Sequence, residues 1–181
     1  MLQSVCRFIY FNVLGWKEEV TEPFRDKCVI CVAPHTSNWD LFIGKLYWCA
    51  IGRKACFMMK KDWFFFPLGS IFRAMGGIPV DRGRKTSLVE QMTTRFHQQQ
   101  DFNLCITPEG TRKPNPDWKK GFYYIALRAE VPIELIAIDY QKKIISYTRC
   151  FTPTGDYDKD IAVIKNHFKD FKGKHPENFA I

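Results

Sequence analysis

The sequence predicts an α/β domain in which helices flank a central, largely parallel sheet. Short apolar runs of strand character alternate with helical patterns along the chain. The 181 residues suit one hydrophobic core, and no internal repeat, linker or low-complexity segment divides them. We therefore expect residues 1–181 to form a single domain, with ligands gathered at the carboxyl ends of its strands.

Composition indicates a folded, basic protein but does not by itself predict a function. The chain is 46% hydrophobic and 25% charged, which argues against wholesale disorder. A formal net charge of +8 attracts anionic lipid, phosphorylated small molecules or nucleic acid. Aromatic residues, 15% of the chain, cover lipid-facing surfaces or fill cores. We expect no nucleic-acid partner, since the sequence has neither an RNA-recognition signature nor a tight basic run.

The first segment, residues 1–16, is predicted to be an apolar helix. It lacks the basic start and small-residue cleavage site of a signal peptide. A helix here places Gln3, Ser4 and Arg7 on one side, as in a helix that lies in a membrane interface. A terminal helix packed on the domain's own core is an equal alternative. Charged residues interrupt the longest apolar stretches, so we expect no transmembrane span.

The remaining elements are predicted from apolar runs, hydrophobic periodicity and turn residues. The predicted strands are residues 27–33, 54–59, 78–80, 102–106, 132–140 and 143–148, the last two joined by a tight turn. The predicted helices are residues 39–51, 86–100, 121–129 and a last one that carries Ile161, Ile164, Phe168 and Phe171 and stops near Gly173. Pro67 and Gly69 predict a broken helix over 62–75, and Ser87 with Glu90 forms a capping box.

Seven cysteines lie mostly inside apolar runs. Cys28 and Cys31 form a C-x-x-C, but residues three apart in a strand face opposite sides of the sheet. No second Cys or His pair stands at zinc-finger spacing, so we expect no metal site. The pattern predicts reduced core thiols in a cytosolic protein.

His35 and Asp40 are the first candidates for chemistry. His35 follows a predicted strand, and residues 36–38 are good N-cap residues, so Asp40 falls in the first turn of the next helix. A carboxylate there can turn back to one imidazole nitrogen, fix the tautomer and leave the other nitrogen as a general base. Taken alone, the pair is more commonly a loop histidine beside a capping aspartate.

Two further polar runs carry candidate anion contacts. The glycine-rich run 76–82 ends in Arg82, which can hold a phosphate. The run 108–112 offers a glycine for close backbone approach, Arg112 for an anion, and Glu109 to orient a hydroxyl or the arginine. Taken alone, the run 76–82 is better explained as a glycine-dependent turn with a solvent-facing arginine, and the run 108–112 is a weak signal that a surface turn with an ion pair would also explain.

Together and in this order, the runs closely resemble the glycerolipid acyltransferase family. His35 and Asp40 match the family's His-x-x-x-x-Asp motif, and residues 108–112 match Pro-Glu-Gly-Thr-Arg without a change. The further matches are the glycine-rich run 76–82, Val131-Pro132 before an apolar strand, and Lys60 in the basic segment between the first two motifs.

The resemblance implies a mechanism and a set of site residues. His35 would be the general base and Asp40 its orienting partner. An acceptor hydroxyl would attack an acyl-CoA or acyl carrier protein thioester, with no metal, bound cofactor or covalent acyl-enzyme. The implied substrate contacts are Glu109, Gly110, Thr111, Arg112, Arg82 and Lys60.

The implied acceptor is a lysophospholipid, 1-acylglycerol-3-phosphate above all, in phospholipid biosynthesis. The protein would be cytoplasmic and peripheral on the anionic inner face of the cell membrane. Asp62 and Trp63 stand where the family has Glu and Leu, so another hydroxylated lipid acceptor stays open. A non-catalytic module that binds anionic lipid is the alternative from another class. A hydrolase is disfavoured because the sequence has no Gly-x-Ser-x-Gly elbow.

Overall fold

A central sheet of seven strands organises the computed structural model, which describes residues 1–80 and 87–181. The strands lie in the order β1-β7-β6-β2-β5-β3-β4, and every neighbouring pair is parallel except β6 and β7. The predicted α/β fold with a largely parallel sheet is confirmed. The strands are β1 (Lys17–Val20), β2 (Lys27–Ala33), β3 (Cys56–Lys60), β4 (Gly77–Val80), β5 (Phe102–Ile106), β6 (Ile133–Asp139) and β7 (Ile144–Phe151).

Helices fill most connections between these strands. Within the described residues the α-helices are α1 (Leu2–Phe8), α2 (Trp39–Ile51), α3 (Leu68–Ala74), α4 (Leu88–Gln98), α5 (Gly121–Ala129) and α6 (Tyr157–Phe168). A π-helical turn, Ile9–Val13, extends α1. The expected capping box of Ser87 and Glu90 begins α4. The predicted break over 62–75 is also present, since a 3₁₀ turn at Lys61–Trp63 precedes α3.

The structure differs from the sequence prediction at several element ends and in one strand. β3 begins at Cys56 rather than at residue 54, β7 continues to Phe151 rather than ending at residue 148, and α6 ends at Phe168, short of Phe171. The prediction missed β1 altogether. All four residues of β1 are exposed and three of them are charged, so the strand lacks an apolar pattern. Backbone pairing with β7 holds it at the edge of the sheet.

The sheet separates two hydrophobic layers because successive side chains of a strand point to opposite faces. Val29 and Cys31 face the layer that α4, α5 and α6 cover, whereas Cys28 and Ile30 face the layer that α1 and α2 cover. The two cysteines of the C-x-x-C therefore diverge, as the strand prediction required.

Helix α1 packs along α2 through one side only. Cys6 of α1 and Tyr10 of the π-helical turn are buried there, and Cys6 forms a disulfide with Cys49 of α2. The expectation of reduced thiols is therefore wrong for this pair, because sequence spacing does not show which helices lie side by side. Five further cysteines of the described chain are free thiols. Leu2 and Phe8, on the other side of the helix, are 73% and 60% exposed.

Among residues 1–80 and 87–181, no helix combines the length and the apolar character needed to cross a bilayer.

Candidate active site

The candidate site lies where three adjacent parallel strands end. In the order β6-β2-β5, the carboxyl ends of these strands meet at one edge of the sheet. His35 follows β2, Glu109 follows β5 and Tyr140 follows β6. Residues far apart in the sequence therefore converge, as expected for ligand sites in open α/β sheets.

The Asp40 carboxylate organises the turn between β2 and α2. Its Oδ2 accepts hydrogen bonds from Nδ1 of His35 at 2.9 Å and from the backbone N–H groups of Thr36 and Ser37 at 3.0 Å each. Because an ionised carboxylate only accepts, Nδ1 must carry the proton in the neutral ring, which leaves Nε2 without one. The predicted pairing of His35 and Asp40 is present, and the histidine side chain is 18% exposed.

Asp40 caps this turn in a way that differs from an ordinary N-cap. Asn38 is the N-cap residue of α2, but its side chain makes no capping bond. The Asp40 carboxylate instead reaches back past the helix start to the amides of residues 36 and 37. Ser37 adds a further bond by accepting from the N–H of Trp39. The turn is thus fixed by the same carboxylate that orients the imidazole.

Tyr140 supplies a contact that the sequence interpretation missed. Its hydroxyl donates to Oδ1 of Asp40 at 2.7 Å, from 100 positions along the chain. The available signal was its place at the end of a predicted strand in the Val131-Pro132 segment. Without the strand order, nothing placed that strand beside β2.

Glu109 supports His35 from the other neighbouring strand. Its Oε1 accepts the backbone N–H of His35 at 2.7 Å, and the residue is only 1% exposed. Burial raises the pKa of Glu109 to about 8; the hydrogen bond from His35 lowers it and the charge of Asp40 raises it further. Its Oε2 has no partner among the described residues. The contact of Glu109 in this structure is to the turn that carries His35, and its contact with an acceptor stays a prediction.

Arg112 is joined to the same turn. Its Nη1 donates to the side-chain oxygen of Asn38 at 2.7 Å, and the residue is exposed to solvent. Gly110 has φ of +67°, and a Cβ there would lie 3.0 Å from the Lys119 side chain, so glycine suits this turn. The Thr111 hydroxyl accepts a hydrogen bond from the backbone N–H of Lys113, within the same loop. The Pro-Glu-Gly-Thr-Arg run therefore contacts the His35 turn through two side chains.

Two other residues were predicted to hold the phosphate, Lys60 and Arg82. Among the described residues, no hydrogen bond or ion pair joins Lys60 to His35 or Asp40. Lys60, at the carboxyl end of β3, forms an ion pair with Asp62, and both side chains are more than half exposed. Arg82 lies outside the described residues. Both remain predictions as substrate contacts.

The C-terminal segment covers the His35 turn, which the sequence also did not reveal. The N–H of His175 donates to the hydroxyl of Thr36 at 3.1 Å. A Cβ on Gly173 would lie 2.5 Å from that hydroxyl, so only glycine permits this approach. The carbonyl of Lys172 accepts the N–H of Tyr140 at 2.8 Å. Residues 172–175 therefore brace both the turn and Tyr140.

The described residues contain no cluster of three or more His, Cys, Asp or Glu side chains able to hold a metal ion. The chemistry that the site does present is a base, its orienting carboxylate and an adjacent cation. A histidine with a fixed tautomer and a free Nε2 can take a proton from a hydroxyl group. Fold and site together define an α/β domain equipped for general-base activation of a hydroxyl.

Comparison with known proteins gives the family. The sequence profile of the Acyltransferase family matches residues 17–139, which include both members of the dyad and the Pro-Glu-Gly-Thr-Arg run. The chain belongs to this family.

Curated relatives carry related names. The chain is 31% identical over 139 residues to the Homo sapiens 1-acyl-sn-glycerol-3-phosphate acyltransferase beta; the match covers 71% of this chain and 48% of the relative. It is 30% identical over 112 residues to a Streptococcus pneumoniae 1-acyl-sn-glycerol-3-phosphate acyltransferase, covering 61% of this chain and 41% of the relative. The chain therefore spans about half or less of the length of these relatives.

A solved structure shares the fold. The 1-acyl-sn-glycerophosphate (LPA) acyltransferase PlsC from Thermotoga maritima superposes with a TM-score of 0.63. The match covers 95% of this chain and 81% of that one at 15% sequence identity. This likeness shows the fold alone.

The buried carboxyl of Glu109 should make the free energy of unfolding depend on pH, and the substitution Glu109→Gln should remove this dependence. The pKa of Glu109 rises from 4.5 to about 8 on folding, so the folded state holds a proton that the unfolded state releases. Its contribution to the free energy of unfolding is fully present below pH 4.5 and is lost as pH rises toward 8. The loss is on the order of a few kcal/mol, at ~1.4 kcal/mol per pKa unit.

Glu109→Gln keeps an oxygen for the His35 amide but cannot ionise. Urea unfolding from pH 5 to pH 8.5 should show the wild type losing stability relative to this variant as pH rises. Parallel stability curves for the two proteins would show that Glu109 does not titrate in this range.

Proposed function

We propose that this chain transfers a fatty acyl group from an acyl thioester to the hydroxyl of a lysophospholipid, with 1-acylglycerol-3-phosphate as the first candidate acceptor. The observation that carries the proposal is the shared turn. It holds the base His35 through Asp40 and the cation Arg112 through Asn38. A base beside an anion holder suits an acceptor that bears both a hydroxyl and a phosphate. The names of the relatives support the same acceptor class.

The reaction follows from the protonation states of the dyad. Nε2 of His35 takes the proton of the acceptor hydroxyl while its oxygen attacks the thioester carbonyl carbon. The carbon–oxygen bond forms, the carbon–sulfur bond breaks, and the imidazolium returns its proton to the leaving thiolate. Asp40 stays ionised and stabilises the imidazolium by its charge. These steps balance without a bound cofactor, and the donor is acyl-CoA or acyl carrier protein thioester.

The product of this reaction, a diacylated glycerol phosphate, would make the enzyme part of phospholipid biosynthesis. Another hydroxylated lipid acceptor remains the closest alternative. A module that binds anionic lipid without catalysis is less well supported, because it leaves the fixed tautomer of His35 without a role.

We expect such an enzyme to act while bound to a membrane surface. The side of α1 that turns away from α2 exposes Leu2, Val5 and Phe8. A second apolar patch follows β3, at the same edge of the sheet as His35, where Phe66 is 90% exposed and Trp63 is 53% exposed. The positive net charge favours an anionic surface. Because coenzyme A and acyl carrier protein are the proposed donor carriers, we propose the cytoplasmic face of the cell membrane for this surface. The Cys6–Cys49 disulfide would then be an exception in a compartment that keeps thiols reduced.

Replacing the base tests the reaction. His35→Ala should lower kcat by about 10²- to 10⁴-fold, the usual contribution of a positioned general base. The assay combines purified protein, labelled acyl-CoA or acyl carrier protein thioester, and a panel of lysolipids. His97→Ala, an exposed histidine of α4, is the matched control and should keep wild-type turnover. Equal turnover in His35→Ala and the wild type would refute the assigned base.

Replacing the cation tests the acceptor phosphate. Arg112→Ala should raise the KM for 1-acylglycerol-3-phosphate about tenfold or more, because a charge-assisted hydrogen bond is lost. The KM for the thioester should change much less. Arg128→Ala, an exposed arginine in the last turn of α5, provides the control. A similar rise of both KM values in Arg112→Ala would count against a phosphate contact.

The membrane surface is tested with point variants, since truncating residues 1–16 would also remove the buried Tyr10 and Trp16. The triple variant Leu2→Ser, Val5→Ser and Phe8→Ser should weaken binding to phosphatidylglycerol-containing vesicles by about tenfold or more, because apolar area no longer inserts.

Wild-type binding to these vesicles should also weaken as salt is raised. Val163→Ser, an exposed apolar residue of α6, is the control. Sedimentation with vesicles measures all three proteins, and unaltered binding of the triple variant would remove α1 from the membrane contact.

A further inference from the structure

The two oxygens of the Asp40 carboxylate accept hydrogen bonds from different parts of the fold. Oδ2 receives its three donors from within the turn, namely the His35 ring and the two amides that follow it. Oδ1 receives the Tyr140 hydroxyl at 2.7 Å, and no other donor to it is present among the described residues. The Asp40 side chain is only 4% exposed, so solvent has little access to replace this bond.

Tyr140 is itself held from three directions. Its backbone N–H donates to the carbonyl of Lys172, and its ring meets Trp16 edge-on with centroids 5.1 Å apart. It directly follows β6, whose pairing with β2 fixes its distance from the His35 turn. Burial, and then the hydrogen bond to Asp40 and its charge, raise the pKa of Tyr140 well above its usual value. The hydroxyl therefore remains a donor at every pH at which an enzyme works.

We propose that Tyr140 is a positioning residue for acyl transfer: its hydroxyl locks the Asp40 carboxylate in the orientation that keeps His35 turned with Nε2 toward the acceptor. This inference rests on the proposed function. A carboxylate bound only through Oδ2 can rotate about its Cβ–Cγ bond, and the imidazole would follow it. The hydrogen bond from the hydroxyl also withdraws negative charge from the carboxylate. This weakens the attraction between the carboxylate and the protonated imidazole.

The test is Tyr140→Phe, which removes one oxygen atom and keeps the ring against Trp16. We expect kcat to fall about ten- to a hundredfold, in line with a lost hydrogen bond to a charged group, while the acceptor KM stays the same. The acid limb of the profile of log kcat/KM against pH should move to higher pH, because the less solvated carboxylate holds the imidazolium more tightly. The other ionisable side chains near the dyad in the described chain are Glu109, Arg112, Lys174 and His175, and all four are unaltered in this comparison.

The matched control is Tyr123→Phe. The Tyr123 hydroxyl also donates at 2.7 Å to a buried aspartate, Asp160, but it lies in the core layer on the opposite face of the sheet. Tyr123→Phe removes this bond and also the one that the hydroxyl accepts from the Gly155 N–H, so it should lower stability at least as much as Tyr140→Phe. Thermal unfolding of both variants therefore separates folding effects from positioning. The control should keep the wild-type kcat and the wild-type pH profile.

A second readout needs no turnover. The titration of the His35 ring, followed by NMR of its carbon-bound protons, should shift to higher pH in Tyr140→Phe and stay unchanged in Tyr123→Phe. A wild-type kcat, acid limb and titration in Tyr140→Phe would overturn the positioning role and leave the proposed function standing. If the wild-type protein transfers no acyl group, the proposed function fails, and the His35 titration alone decides for or against the positioning role.

Discussion

The arrangement of the candidate site depends on how one buried carboxylate is satisfied. Asp40 is 5% exposed, and a charge at such a position is costly unless it is fully hydrogen-bonded. Its four donors come from the imidazole, two turn amides and Tyr140. Meeting this requirement shapes the turn after β2, sets the tautomer of His35, and requires the end of β6 to lie close by. Function and local structure thus share one set of hydrogen bonds.

The parallel sheet makes this convergence possible. Adjacent parallel strands deliver their carboxyl ends to one edge, so β6 and β5 place Tyr140 and Glu109 on either side of the β2 turn. Each neighbour contacts a different part of that turn: the tyrosine contacts the carboxylate, and the glutamic acid contacts the His35 backbone. The C-terminal segment then closes over Thr36, where Gly173 allows the approach. The position of His35, the proposed base, is therefore determined by four separate parts of the chain.

Patterns in neighbouring residues predicted the features of the fold that depend on neighbouring residues. The bounds of β2, β5, α2 and α5 agree with the prediction because continuous apolar runs and helical periodicity mark them. The charged edge strand β1 carries no such mark and was missed. The pairing of His35 with Asp40 was predictable from five residues of spacing. The contact of Tyr140, the Cys6–Cys49 disulfide and the closing role of Gly173 depend on strand order and helix packing, which a single sequence does not display.

The central claim is that Asp40 holds the proton of the neutral imidazole on Nδ1 and leaves Nε2 of His35 free to act as the base. Long-range ¹H–¹⁵N correlation NMR of the His35 ring, recorded where the ring is neutral, tests this directly. The account predicts a protonated Nδ1 and a bare Nε2 in the wild type. A neutral ring with its proton on Nε2 would contradict the account, because that nitrogen could then not accept a proton from the acceptor hydroxyl.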